Sequence, residues 1–230
     1  MTWALDRVEA GDARCLTITG AGRAFCSGAN LNDPDLPPSN RGGEAQGEIK
    51  DDLEAWYNPT FLRLRDLAKS VVTAINGIAA GAGMSLALMG DIRVAARSAS
   101  FLQAFARIGL VPDCGSSYLL PRMICMARAM ELSLLAERLP AETALSWGLI
   151  NRVVNDPDLP SAAFEIAQKL AEGPASLGLI RKMYWASLEN SYERQLALEA
   201  ECQMRAGLTA DYTEGVTAFR EKRPPQFTGR

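Results

Sequence analysis

The 230-residue sequence predicts an α/β fold: strands layered against helices up to about residue 155, then a helical C-terminal region over 156–230. Three observations carry this. Two apolar runs of strand length, Ser70-Val-Val-Thr-Ala-Ile75 and Asp91-Ile-Arg-Val-Ala-Ala96, flank a helical stretch of small residues, the strand–helix–strand order of α/β layering. Gly-rich turns follow the early strands at Gly20-Ala-Gly22 and Asn76-Gly77. Beyond Pro112, apolar stripes at helical spacing recur with one short interruption.

Taken in order, Cys15-Leu-Thr-Ile-Thr19 alternates and reads as a strand. Residues 32–50 are the most Pro-, Gly- and polar-rich part of the chain and read as a long loop. Leu53, Trp56, Tyr57, Phe61, Leu64 and Leu67 restore helical spacing over 51–68, with a kink or new turn expected at Pro59. The continuous apolar run 70–75 predicts a buried strand, 80–89 a helix, 91–96 a strand and 101–105 a further short strand. Helices are expected over 114–124, 126–136, 141–147, 160–172, 175–188, 190–206 and 209–221, with one strand at 149–154. No fixed-period repeat is present.

The chain contains no histidine, which excludes Ser-His-Asp and Cys-His nucleophile pairs, HExxH zinc sites and a histidine base. Catalysis must use carboxylates, lysine, hydroxyls, thiols or backbone amides. Five scattered cysteines without CxxC spacing predict reduced thiols in a cytoplasmic protein. The first residues carry no basic segment followed by an apolar one, and the apolar stretch 75–89 is too short to span a bilayer. A net charge of −3 gives no electrostatic case for nucleic-acid or membrane partners.

Gly83-Met-Ser85-Leu-Ala87 imitates the hydrolase nucleophile elbow, but the partner histidine does not exist. The loops Ser27-Gly28-Ala29 and Gly81-Ala82-Gly83 can each offer an uncapped backbone amide to a carbonyl oxygen, an oxyanion hole that needs no titrating side chain. Asp113, after Pro112, stands where a helix N-cap is expected, and a capping role competes with a catalytic one. The C-terminal run places Phe219 and Phe227 near Arg220, Lys222 and Arg223, either a solvated helix end or a site for a polyanionic nucleotide.

In order, these pieces resemble the crotonase (enoyl-CoA hydratase/isomerase) superfamily along essentially the whole chain. The most specific stretches are Thr19-Gly-Ala-Gly-Arg-Ala-Phe-Cys-Ser-Gly-Ala-Asn-Leu31, Ala74-Ile-Asn-Gly-Ile-Ala-Ala-Gly-Ala-Gly-Met-Ser-Leu-Ala-Leu-Met-Gly-Asp-Ile92, Phe105-Ala-Arg-Ile-Gly-Leu-Val-Pro-Asp113 and the ending Glu214-Gly to Glu221-Lys-Arg-Pro. Trp56-Tyr-Asn-Pro59 and Gly109-Leu-Val-Pro-Asp-Cys-Gly115 are similar to the epoxyphenylacetyl-CoA isomerase branch. The resemblance implies a spiral of ββα units over 1–155 and a helical region that forms trimers, often paired into hexamers. It implies an acyl-CoA substrate, no cofactor beyond that coenzyme A, and a thioester oxygen held by the amides of Ala29 and Ala82. Cys26, Ser27, Gly28, Asn30, Leu31, Gly81, Ser85, Phe105, Phe219 and Lys222 are the implied contacts to substrate or CoA, with Met84, Trp56 and Tyr57 beside Phe105 around the acyl group.

The departures from the family pattern select the reaction. The two glutamates of family hydratases fall on Ser85 and Phe105, neither of them acidic, whereas Asp113 matches the aspartate position of the isomerases. The resemblance therefore implies an acyl-CoA isomerase that shifts a double bond or rearranges an epoxide through a thioester enolate, with Asp113 as base. The alternatives are a hydratase with a non-standard base and an inactive acyl-CoA-binding protein of the same fold. Family members also carry a β-hairpin upstream of the position of Met1, so the fold is expected without that hairpin and without part of the CoA pocket.

Overall fold

The computed structural model describes residues 1–29 and 48–230. Two four-stranded sheets organise them. The first is parallel throughout, in the order β1 (Cys15–Thr19), β3 (Ser70–Ile75), β5 (Ile92–Ala96), β8 (Arg152–Val154). The second runs β2 (Ala24–Cys26), β4 (Ile78–Ala80), β6 (Ser100–Leu102), β7 (Leu139–Pro140), and only its β6–β7 pair is antiparallel. The chain passes from the first sheet to the second across a short corner after β1, β3 and β5, so each strand pair is one turn of a flat spiral.

The corners stack through backbone contact. Gly20 donates its N–H to Asn76 Oδ1 at 2.9 Å, and Asn76 Nδ2 donates to the Gly22 carbonyl at 2.9 Å. A Cβ on Gly77 would stand 2.1 Å from the Arg23 oxygen, so only glycine lets the second turn close on the first. All six residues of β3 are buried, as expected of a parallel strand covered on both faces. One cover is α7 (Leu159–Ala171), which packs on β1, β3 and β5; α4 (Ala82–Leu88) lies against β2, β3 and β4.

The remaining helices are α1 (Thr2–Ala10), α2 (Glu48–Asp52), α3 (Asn58–Asp66), α5 (Ser116–Leu135), α6 (Ala141–Ser146), α8 (Ser176–Ser187), α9 (Tyr192–Gly207) and α10 (Ala210–Glu221). Several expectations change. The loop expected over 32–50 lies outside the described residues as far as 47, and 48–50 are helical. Pro59 starts a new turn, one of the two expected outcomes, and sits in the first turn of α3; a π-helical turn, Leu53–Tyr57, precedes it. The stretch 101–105 leaves the sheet at Leu102 and continues as a 3₁₀ turn, Ala104–Ile108. The two helices expected over 114–124 and 126–136 are both present within α5, separated by a break at Ile124 and Cys125, and the first starts at Ser116. The strand expected from 149 is confined to Arg152–Val154.

One buried side chain ties the helical region to the spiral. Arg181, on α8 and 6% exposed, pairs with Asp91 at 2.9 Å and donates to the carbonyls of Leu64, Arg65 and Leu67 at the end of α3. Asp91 in turn accepts from the Val71 amide of β3 at 2.7 Å. Removing Arg181 leaves the part-buried Asp91 carboxylate with the Val71 amide alone and strips three backbone carbonyls of their donor. Arg181→Met is therefore expected to cost about 3–5 kcal/mol in urea unfolding, and a loss below about 1 kcal/mol contradicts this role.

Candidate active site

The site begins where β2 ends and α4 starts. Gly83, in the first turn of α4, faces the Cys26 carbonyl so closely that a Cβ would stand 2.1 Å from its oxygen. Gly28, at φ +91°, lies along Ala80 and Ala82: its Cβ would be 3.1 Å from the Ala80 oxygen and 3.9 Å from the Ala82 nitrogen. Gly81, at φ +54°, donates to the Leu102 carbonyl at 2.9 Å, and its own carbonyl accepts from Met84 and Ser85. As the first residue of α4, Ala82 has an N–H with no intrahelical acceptor. Neither that N–H nor the one of Ala29 has an acceptor among the described residues. The Phe105 ring closes the floor, its Cζ 3.9 Å from where a Gly81 Cβ would be.

Asp113 is fixed to the same helix. Its backbone carbonyl accepts from Ser85 Oγ at 3.1 Å, Ser116 Oγ at 2.9 Å and the Ser116 amide at 3.0 Å. The carboxylate is not an N-cap: α5 starts three residues later, capped by Gly115 at φ +79° without a side-chain bond. The cap's acidifying effect is therefore absent. Burial pushes the Asp113 carboxyl above the usual carboxylate range, opposed in part by the neighbouring Cys114 thiol. Oδ1 is buried and has no hydrogen-bond partner among the described residues. Tyr57, at the end of the π turn, is pushed up by burial first and then by the nearby Cys114, Asp113, Asp52 and Cys26, so it faces both the carboxylate and the end of β2.

The structure thus gathers Cys26, Ser27, Gly28, Ala29, Gly81, Ala82, Ser85, Phe105 and Asp113 around the start of α4. Asn30 and Leu31 lie outside the described residues. Phe219 is 86% exposed on α10 and Lys222 is exposed just after it; among the described residues neither bonds to the Asp113 region. Met84 does not face a substrate but is enclosed in the core, where Gln103 Nε2 approaches its sulfur at 3.5 Å. Trp56 is 72% exposed among the described residues. Sequence reasoning missed Ser116 and Cys114, whose roles depend on a turn conformation that their residue types do not announce.

A cleft of about 960 Å³ opens between α3, α5 and α8, lined by Phe61, Tyr118, Trp185, Arg65 and Lys182. It touches Cys114 and Gly115, while Ala29 and Ala82 are not among its described lining residues. No group of three or more His, Cys, Asp or Glu side chains suited to a metal, and no helix long and apolar enough to cross a membrane, occurs among the described residues.

The sequence model of the enoyl-CoA hydratase/isomerase family matches residues 1–230. The chain is 49% identical to the 1,2-epoxyphenylacetyl-CoA isomerase of Escherichia coli K12 over 228 residues, covering 98% of this chain and 86% of that one. It is 36% identical to the carnitinyl-CoA dehydratase of Proteus mirabilis over 229 residues, covering 94% and 82%. The crystal structure of an enoyl-CoA hydratase from Bacillus anthracis superposes with a TM-score of 0.90 at 31% identity, covering 100% of this chain and 87% of that one.

The raised carboxyl of Asp113 has a consequence for stability. A carboxyl that holds its proton more tightly in the fold than in the unfolded chain favours folding while protonated. That advantage is lost as pH rises from the ordinary aspartate value through the raised one. Asp113→Asn is therefore expected to raise the thermal unfolding midpoint at pH 7, with the gain shrinking toward pH 3. A midpoint lowered at pH 7 contradicts the desolvated carboxylate.

Proposed function

This chain belongs to the enoyl-CoA hydratase/isomerase family, and from that premise we propose that it is an acyl-CoA isomerase in which Asp113 moves one proton of a thioester enolate. The reading is supported by a half-buried carboxylate, Asp113, whose backbone is tied to Ser85 of α4, and by the amides of Ala29 and Ala82, which have no acceptor among the described residues. The substrate thioester oxygen accepts hydrogen bonds from the N–H groups of Ala29 and Ala82. As a C–H bond next to the thioester breaks, charge moves onto that oxygen, where fixed donors stabilise it by a few kcal/mol each. Asp113 takes the proton from the α-carbon and returns it to the γ-carbon, so the double bond shifts and no atom is gained or lost. The same enolate stabilisation serves an epoxide rearrangement such as the one in the name of the Escherichia coli relative.

Ser85 argues against a hydratase. It is wholly buried and its hydroxyl bonds to the Asp113 carbonyl, so it holds the base rather than activating water. Phe105 supplies an apolar floor and no acid. No cofactor beyond the CoA of the substrate enters this scheme. The reading includes a cytoplasmic homotrimer or a pair of trimers. Large apolar side chains left exposed in the single chain support assembly, among them Met126, Met130 and Leu134 at helical spacing on α5. In such an assembly Phe219 and Lys222 are free to reach the CoA of a neighbouring copy.

Assayed on a panel of 3-enoyl-, dienoyl- and epoxy-acyl-CoA thioesters, Asp113→Asn is expected to lose about 10²–10⁴-fold in kcat while acyl-CoA binding persists. Unchanged turnover ends the assignment. For the wild type, kcat/KM is expected to rise with pH through the raised Asp113 value, since a base must be ionised to act. Gly28→Ala forces a Cβ to 3.1 Å from the Ala80 oxygen at φ +91° and tilts the Ala29 amide. It is expected to cost about 10²-fold in kcat, the scale of one oxyanion donor. A normal kcat in a folded Gly28→Ala protein removes Ala29 from the oxyanion hole.

A further inference from the structure

A buried carboxylate holds residues 224–230 in place. They belong to no helix or strand, yet they lie back as a strap across the start of α10. Asp211, in the first turn of α10 and 2% exposed, accepts from the Thr228 amide at 2.7 Å, the Thr228 hydroxyl at 3.2 Å and the Gly229 amide at 2.9 Å. Its own amide donates to the Arg230 carbonyl at 3.0 Å. A further donor comes from elsewhere in the chain: the Ala175 amide, at the entry to α8, at 2.8 Å. Arg14, just before β1, anchors the strap a second time through the carbonyls of Phe227 and Gly173. A carboxylate is buried this deeply only when donors satisfy it, and charge-assisted bonds from amides are strong ones.

Asp211 thereby closes a gap that the chain leaves open. α8 and α9 pack on each other and are joined through residues 188–191, so the entry of α8 and the exit of α9 form the open end of a hairpin. Asp211 bonds Ala175 at that entry and stands two residues after Thr209 at that exit. Ala175 and Thr209 both line the 960 Å³ cleft, with Lys182 and Trp185 along α8 and Arg205 near the end of α9. The same cleft touches Cys114 and Gly115, the residues that follow Asp113.

We infer that Asp211 is a positioning residue for the α8–α9 wall of this cleft and, with the strap it holds, sets how long an acyl group the enzyme accepts. The inference rests on the isomerase reading, which puts the reacting carbons at Asp113 and leaves the cleft to the rest of the acyl group. Phe61, Tyr118 and Trp185 give that space the apolar walls a hydrocarbon chain needs.

Two substitutions in the full chain test this from opposite ends of the strap. Asp211→Asn turns one of the two accepting oxygens into a donor, and Arg14→Met frees the second anchor without touching Asp211. Amide hydrogen exchange over residues 173–176 and 226–230 is expected to speed up in both. The kcat/KM ratio of 3-decenoyl-CoA to 3-butenoyl-CoA is expected to fall about tenfold, the scale of two methylene groups returned to water. That fall is carried by KM of the longer thioester, while kcat on 3-butenoyl-CoA stays as in wild type. Equal losses on both thioesters, faster exchange with an unchanged ratio, or unchanged exchange in both variants overturns the inference. Should Asp211→Asn fail to fold, Arg14→Met decides alone. Calorimetric binding of decanoyl-CoA against acetyl-CoA reads the same ratio without turnover. If that binding ratio falls while wild type turns over neither enoyl thioester, the wall keeps its role and the isomerase reading fails. If turnover is intact and neither ratio moves, the inference fails alone.

Discussion

The site depends on one close approach, that of Gly83 to the carbonyl of Cys26. A single added methyl group would stand 2.1 Å from that oxygen, so the start of α4 and the end of β2 touch backbone to backbone. Everything polar follows from this contact. It carries Ser27-Gly28-Ala29 along the first turn of α4 and brings the Ala29 segment within reach of the Ala82 amide. It also lets Ser85, one turn further along α4, reach the Asp113 carbonyl. The two amides and the Asp113 backbone therefore come from three separate segments that share a single reference point. Rigid backbone donors of this type need no reorganisation when charge develops.

The missing histidine takes on a positive meaning in this setting. A chain without imidazole can stabilise an oxyanion with peptide N–H groups and transfer a proton with a carboxylate, provided the carboxylate is made basic enough. Burial raises the Asp113 carboxyl above the usual range, and no helix-capping bond counters it. The fold bears the costs elsewhere: a buried Oδ1 with no hydrogen-bond partner among the described residues, and left-handed backbone at a cysteine. Such local costs are tolerated because Arg181 and the stacked glycine corners hold the surrounding frame.

How much of this was legible in the sequence varied with the length of each element. β3 and β5 were visible because five or six residues rich in Val, Ile, Thr and Ala read as strand whatever surrounds them. The three-residue strands β2 and β4 were not, since so short a segment shows no periodicity and gains its identity only by pairing with the next turn of the spiral. α1 escaped for a related reason: Leu5 is its one buried residue, which leaves no stripe to detect. Within the site, the glycines of the two amide loops and the isolated Asp113 were readable. The start of α5 was not, because Pro112-Asp113 has the chemistry of a cap while the chain spends Cys114 and Gly115 on an extra turn before the helix begins. A positive φ at cysteine has no sequence signature.

The central claim is that amides and carboxylate together generate a thioester enolate by moving one proton. Proton exchange reads that step without requiring the natural acyl group. An acyl-CoA with an exchangeable α-methylene, such as phenylacetyl-CoA, incubated with the wild-type protein in D₂O and followed by proton NMR, is predicted to lose its α-proton signal far faster than without enzyme. The same sample with Asp113→Asn is predicted to keep it. An α-proton signal that persists equally in both, with binding of the thioester demonstrated, would contradict the account.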